Sequence, residues 1–583
     1  MRSFFKTFFA ALLALVVFGL LVFLVLVSAV KGLASGDKPQ VPAGSVLVLD
    51  LSQVYKEQVQ KDVIGNLSGD DRDIPGLYDV VRLLRAAKTD KNIAGVYVVA
   101  NSNPNGFAAS GEIRNALQEF KDGGKFIIAY GDVMTQKAYA VANIADKIYI
   151  SPQGYLEWAG YSVDYAFVKG TLEKLEIKPQ IFYAGKFKSA TEPFREEKMT
   201  EANKLQTSVW LTDLYRDFLQ KTFIARKKDT AELRRLADEA LIRHAKDAAD
   251  HGLVDAIRYD DEVKDEIKER LGLDKYSRIS FVTINTYYAA GAVSRGSGGK
   301  IAIIYAEGDI VDGRGGDGMI GGDTYRTLLR KARLDESVKA IVVRINSGGG
   351  SAMASETIWR EMALARQEKP VIVSFGDVAA SGGYYMACAA DSIFASPVSI
   401  TGSIGVFGIV PDMQAFFKNK LGVTFDGVKT NPYADAGSVY RPLTANEQQL
   451  VQANVDMIYT QFKQRVADGR KKDTAYVDSI GQGRVWTGLR AREIGLVDRF
   501  GGIEDAVKSA AAMAKLQQYR VVEYPEPLSF FDRLFGKEAP MSYTKAMRQE
   551  IGEENYALYQ EMKRIQEMTG TVQARMPFRF FIK

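Results

Sequence analysis

Residues Val371–Phe407 read VIVSFGDVAASGGYYMACAADSIFASPVSITGSIGVF. A β-branched apolar run opens the stretch, a small-residue helical segment follows Ser381, and a second short apolar run ends at Ser396-Pro397. Short apolar strands alternating with helices imply α/β layers. At the centre stands Thr401-Gly402-Ser403-Ile404-Gly405. Glycines flanking a serine let the backbone turn tightly and let another chain approach the hydroxyl, which suits a nucleophile. A turn serine bonded to its own backbone is the plainer reading.

The same order of elements appears twice. SVLVLDLS (45–52), AGVYVVAN (94–101) and KFIIAYGDV (125–133) are expected strands, with helical spacing in DVVRLLRAAKTD (79–90) and GEIRNALQEFKDG (111–123). After the break RGSGGK come KIAIIYAEGDIV, TYRTLLRKARLD, KAIVVRIN, SETIWREMALARQEK and PVIVSFGDV in matching order. Tyr130-Gly131-Asp132-Val133 matches Phe375-Gly376-Asp377-Val378; Tyr139 then faces Tyr384, Asp146 faces Asp391, and Ser151-Pro152 faces Ser396-Pro397. His251–Asp255 (HGLVD) corresponds to Ile494–Asp498 (IGLVD) after a slip of two. This is an internal duplication, with repeats expected over 45–294 and 295–516.

The duplicate exposes a division of labour. Opposite Ser403 the first copy has Trp158, and opposite the loop Asn346–Ser351 (NSGGGS) it has Asn101–Gly106 (NSNPNG). The first copy instead carries Ala184–Ala190 (AGKFKSA), where Lys188 falls opposite Ala434. One composite site accounts for this split, and its natural chemistry is a Ser-Lys dyad; drift of surface loops is the alternative. A lysine base must be neutral, which takes burial strong enough to lower its pKa from about 10.4 toward about 7–8. Lys186 is the rival base; only Lys188 immediately precedes the small pair Ser189-Ala190. The glycine loop ends a buried strand and opens a helix, so Gly349 and Gly350 are expected to aim backbone N–H groups at a tetrahedral oxyanion. That junction lacks the Lys-Ser/Thr ending of a phosphate-binding loop.

Composition narrows the chemistry further. The only histidines are His244 and His251, and the lone cysteine, Cys388, sits in an apolar run, which excludes a Cys/His zinc site and an internal disulfide. No cofactor is implied. A net charge of +5 over 583 residues, without a dense basic stretch, makes nucleic acid a poor partner. Residues 7–30 are uncharged and apolar, long enough to span a bilayer core of about 30 Å. Arg2 and Lys6 precede them and keep residues 1–6 in the cytoplasm. A cleaved signal peptide would have a shorter apolar region, about 7–15 residues. A polar tether (31–44) follows the anchor, and a helical tail (517–583) ends the chain.

INSGGGSAMASE, VAASGGYYMA, SPVSITGSIGVFG, AGKFKSATEPF and GRVWTGLRAREIGLVD together resemble the signal peptide peptidase A (protease IV) family, peptidase family S49, in its long duplicated form. The resemblance runs from about Ser45 to Lys515. It implies tandem crotonase/Clp-like repeats of ββα units behind a transmembrane helix. It implies a serine endopeptidase, anchored in the inner membrane with its catalytic part on the periplasmic side, that degrades cleaved signal peptides and other apolar peptides. Carried over by motif, Ser403 is the nucleophile, Lys188 the general base, and Gly349, with Gly350, the oxyanion hole. A bowl-shaped homotetramer is implied as well. One departure stands out: the family turn is Ser-Pro-Gly-Gly-Ser, whereas this chain has Ser347-Gly348-Gly349-Gly350-Ser351. Losing the proline costs preorganisation of about 1 kcal/mol but no N–H donor. Ser381 in Ala-Ser-Gly-Gly is the rival nucleophile, by analogy with histidine-dependent Clp-type enzymes. An acyl-CoA enzyme of crotonase type and a non-enzymatic membrane scaffold are the competing functions.

Overall fold

A computed structural model describes residues 38–61, 73–293, 296–316, 318–526 and 571–576, with scattered positions between 7 and 21. The expected anchor at 7–30 lies largely outside them, and no helix among the described residues is long and apolar enough to cross a membrane. The helical tail expected over 517–583 also lies largely outside them.

Each repeat builds a parallel sheet between helices. In the first, the order is Ala256–Ile257, Lys147–Leu156, Phe126–Met134, Ile93–Val99, Ser45–Asp50, Phe281–Thr283, all parallel. In the second it is Val485–Thr487, Ile400–Gly402, Val371–Ala380, Val338–Ser347, Gly299–Glu307, Tyr519–Tyr524, parallel except where Val485–Thr487 runs against Ile400–Gly402. The central strands are largely apolar because both faces are covered, with Arg344 a buried exception. Ile341, Val343 and Ile345 pack into one core, while the alternate residues Ala340 and Val342 pack into another on the opposite face.

The duplication extends to individual bonds. Tyr139 Oη donates to Leu253 O at 2.7 Å and Tyr384 Oη to Leu496 O at 2.9 Å. Asp255 and Asp498 each accept a strand N–H, from Ile148 and Ile393, at 2.8 Å. The long helices Glu201–Arg226 and Ala445–Arg470 both start on a threonine cap and both end at a lysine in left-handed conformation.

Two of the features that join the repeats bear on the site. Arg344, wholly buried in the second copy, bonds Glu57 at 2.9 Å and Glu112 at 2.6 Å in the first, and donates to Ser374 Oγ and Phe375 O. Burial pushes the Glu57 carboxyl upward against the opposing pull of Arg344, while the neighbouring carboxylates hold the guanidinium charged. The second feature is a mixed sheet ordered Met319–Gly321, Asp309–Val311, Gly349–Ser351, Gln573–Arg575, Val406–Asp412, Lys178–Ala184. Here a strand of the first copy, Lys178–Ala184, pairs antiparallel with Val406–Asp412 of the second along all seven residues.

Three segments differ from expectation. Tyr519–Tyr524, inside the expected tail, is an edge strand on Gly299–Glu307. Its Tyr-Arg-Val-Val-Glu-Tyr composition suits a half-buried edge, and it repeats the role of Phe281–Thr283 beside Ser45–Asp50. Gln573–Arg575 is also a strand. Gly349–Ser351 forms a short strand where the sequence implies a loop leading into the helix, and Ser351 is the cap, its Oγ accepting from Ala354 N–H at 3.2 Å.

Candidate active site

The bridging pair of strands sets the geometry. Val406 lies opposite Ala184, so the serine turn just before one strand meets the lysine segment just after the other. Lys188 Nζ stands 3.1 Å from Ser403 Oγ, 3.3 Å from Ser403 O and 2.8 Å from Ser381 Oγ. All three side chains are buried. Burial away from water pushes the Lys188 amine well below 10.5. A neutral amine in this position has two N–H groups for Ser381 Oγ and Ser403 O, and a lone pair left for the Ser403 hydroxyl.

The small residues are required by close backbone approach. Ser403 N–H donates to Arg484 O and Gly483 N–H to Ile404 O, both at 2.7 Å, while Phe187 N–H donates to Gln482 O at 2.7 Å. Gln482–Arg484 is thus wedged between the serine turn and the lysine segment. A Cβ on Gly483 would stand 2.6 Å from Lys188 N, and one on Gly185 2.5 Å from the Gln482 carbonyl carbon. Gln206 completes the clamp: its Nε2 donates to Phe187 O and Ser189 Oγ, and its Oε1 accepts from Val485 N–H. Ser403 (φ 50°) and Ser381 (φ 54°) both adopt the left-handed region that side chains ordinarily avoid. Such outliers persist only where surrounding contacts over-determine them, and they concentrate at functional sites.

The remaining predicted residues fall into place unevenly. Gly349 N–H is taken up by Ser347 Oγ at 3.1 Å, and Gly350 lies directly opposite Ala574. Gly348 has space: a Cβ there would first meet Met576 Cβ at 3.8 Å. Lys186 is exposed, with its amine over the Phe187 ring. His251 ends a helix on the first repeat and His244 begins the same helix. Trp158, the counterpart of Ser403, is buried and donates from its indole to Leu233 O. Sequence reasoning missed Ser381 as a partner of the lysine, along with the Gln482–Arg484 wedge and Gln206. The small Ala-Ser-Gly-Gly run marked Ser381 as unusual, but nothing in the pattern of Gln206 signals its role. Among the described residues there is no cluster of metal-ligating side chains.

Comparison with known proteins agrees with the two-copy geometry. The profile of peptidase family S49 matches residues 119–274 and again 363–517. "Protease 4" of Salmonella typhi is 36% identical over 518 residues, 86% of this chain and 83% of that protein. "Protease 4" of Haemophilus influenzae is 34% identical over 86% of this chain and 84% of its own length. "Serine protease SPPA, chloroplastic" of Arabidopsis thaliana is 33% identical, covering 84% of this chain and 72% of that protein.

Proposed function

This chain belongs to peptidase family S49 and is a serine protease; from that premise we propose that it is a membrane-anchored endopeptidase that hydrolyses released signal peptides and other apolar peptides through a Ser403–Lys188 dyad. The observation that carries this reading is a wholly buried amine 3.1 Å from a serine hydroxyl. Ser403 Oγ attacks the scissile carbonyl carbon as its proton passes to neutral Lys188 Nζ. The resulting oxyanion is assigned to backbone N–H groups of the Gly349-Gly350 strand, for which Gly349 N–H has to give up its bond to Ser347 Oγ. The lysine ammonium then gives its proton to the leaving nitrogen, the C–N bond breaks, and an ester on Ser403 remains. Water attacks that ester with Lys188 again taking the proton, which frees the acid and restores the serine. Ser381 positions the amine by accepting one of its hydrogens. The crotonase/Clp-like fold, an anchor at residues 7–30 with the catalytic part outside the cytoplasm, and a homotetramer belong to the same proposal.

The test is fluorophosphonate labelling with the site located by mass spectrometry. Label is expected on Ser403 and absent from Ser403→Ala. Lys188→Ala should label at least about 10²-fold more slowly, as for loss of a general base. Label on Ser381 would transfer the nucleophile to that residue, which lies even closer to Lys188 Nζ.

A further inference from the structure

In the second repeat the helices Ala352–Glu368, Gly382–Ala387 and Ala445–Arg470 close around the carboxylate of Glu356. It accepts from Tyr385 Oη at 2.6 Å, Gln461 Nε2 at 3.1 Å and Arg465 Nη2 at 2.6 Å. The Arg465 guanidinium lies 3.8 Å over the Trp359 ring. The first repeat has the same three helices, Phe107–Lys121, Gln136–Ala142 and Glu201–Arg226, with Ser110 and Tyr139 matching Ser355 and Tyr384. There Gly111 stands for Glu356, Ala140 for Tyr385 and Arg114 for Trp359, while Lys221 keeps the cation of Arg465. With the carboxylate, phenol and indole gone, these residues line a cleft of about 360 Å³, counting its open mouth. A Cβ on Gly111 would meet nothing nearer than Lys221 Nζ at 3.9 Å, so packing does not require a glycine inside this helix.

Charge in the cleft is unbalanced. Lys221 pairs with Asp217 at 2.6 Å, but Arg114 donates to the neutral acceptors Ala140 O and Asn143 Oδ1. Lys137 lies 5.3 Å over the Phe107 ring, and the carboxylate acting on it, Asp377, already accepts from Ala108 and Ala109 N–H. Burial lowers the pKa of both Arg114 and Lys137. Tyr161 Oη is buried in the wall with no hydrogen-bond partner among the described residues. Phe107, Tyr161 and Leu214 supply an apolar wall and pack in one cluster with Ala380 and Val485, neighbours of Ser381 and of the Gln482–Arg484 wedge. We propose that this cleft binds the C-terminal carboxylate of a peptide, held by Arg114, Lys137 and Tyr161 Oη in the space that Glu356 fills in the second repeat. Reading that peptide as a substrate rests on the proposed function: a released peptide carries such an end, and a precursor still joined to its protein does not. The volume suits one chain end rather than a folded partner.

The test uses full-length Ser403→Ala protein, so that nothing is cleaved. Dye-labelled Leu-Ala-Leu-Ala peptides ending in a free carboxylate or in an amide are titrated by anisotropy. The acid should bind at least about tenfold more tightly, as for charge-assisted hydrogen bonds. Arg114→Gln combined with Lys137→Gln should abolish that preference. Gly111→Glu rebuilds the second copy's carboxylate where a side chain has room, so it should abolish the preference as well and raise the unfolding midpoint. In the active protein the acid peptide should show a KM at least about tenfold below the amide's with kcat unchanged, and Gly111→Glu should level the two. Equal binding of acid and amide, or an acid preference that survives all three substitutions, overturns the proposal. Laurate binding that depends on Arg114 and Gly111 while the acid peptide shows no preference assigns the cleft to a lipid acid and overturns it too. Failure of the proposed function reads differently: if the acid preference depends on Gly111 and Arg114 but the active protein cleaves neither peptide, the carboxylate site stands and these peptides are struck as substrates.

Discussion

Replacing Lys188 with methionine separates a charged structural lysine from a neutral catalytic one. The side chain is wholly buried, and Nζ has three oxygen neighbours within 3.3 Å. Holding an amine neutral at pH 7 against an ordinary pKa of about 10.4 costs about 1.4 kcal/mol per unit, about 4–5 kcal/mol in all. Methionine fills the same stem volume and removes that cost, while forfeiting hydrogen bonds worth about 1 kcal/mol each. The variant is therefore expected to be more stable than the parent at pH 7 by about 1–2 kcal/mol, although activity falls by at least about 10²-fold. The pH dependence carries the sharper signature. Because the lysine pKa is depressed in the fold, the unfolded chain binds more protons, so the parent gains stability as pH rises from the depressed pKa toward about 10.4. The variant lacks that slope, and its advantage should shrink by about 1.4 kcal/mol per pH unit and reverse near pH 8–9. Chemical unfolding midpoints at pH 7, 8 and 9, at one protein concentration, measure it. Parallel stability profiles for the two proteins would mean a lysine charged in the fold, and the dyad argument would fail. For the active enzyme the same depression puts the acid limb of kcat/KM well below 10.5, with the rate rising through it.

Other perturbations test the surroundings of the dyad. Ser381→Ala removes the acceptor 2.8 Å from Lys188 Nζ, and kcat should fall about tenfold with KM unchanged. Losing an acceptor disfavours the ammonium, so the acid limb of kcat/KM should move to lower pH; an unmoved limb would reduce Ser381 to a packing residue. Arg344→Met strands Glu57 and Glu112 without their buried counter-charge and should cost about 3–5 kcal/mol by unfolding midpoint. Adding Glu57→Gln should recover part of that loss, and a neutral Arg344→Met would show that this buried cluster adds nothing to the join between the repeats.

Much of this arrangement was legible because the chain carries its own comparison. Aligned copies made Trp158 stand against Ser403 and isolated Lys188 without a histidine to compete with it. What the sequence left open were contacts set by distance. Ser381 reads from sequence as a rival nucleophile, since no local pattern says that its hydroxyl ends 2.8 Å from a lysine nearly two hundred residues upstream. The sequence reads Asn346–Ser351 as a loop between strand and helix; pairing with Gln573–Arg575 on one side and Ile310 on the other draws Gly349–Ser351 into a strand instead. The sequence places the edge strand Tyr519–Tyr524 in a tail because the internal match fades before it. Short edge strands are specified more by the neighbour they meet than by their own residues.

The losses in each copy follow from the pairing of Lys178–Ala184 with Val406–Asp412. In the second copy the stretch opposite the lysine strand is an exposed coil through Ala434, and in the first copy the stretch opposite Val406–Asp412 is largely coil after Trp158. Each repeat therefore keeps one strand of a two-strand ribbon, and neither can close the site alone. The ribbon also sets the dyad distance. Phe182 and Ala184 face the main core, while Ile181 packs with Phe407 and Ile409 on the other face. A slip of one residue would exchange those faces and move Lys188 by about 3.4 Å along the strand, more than a hydrogen bond tolerates. Apolar packing on both faces of an inter-repeat ribbon is thus what holds an amine 3.1 Å from the serine, and the Ser403–Lys188 spacing is a consequence of strand register.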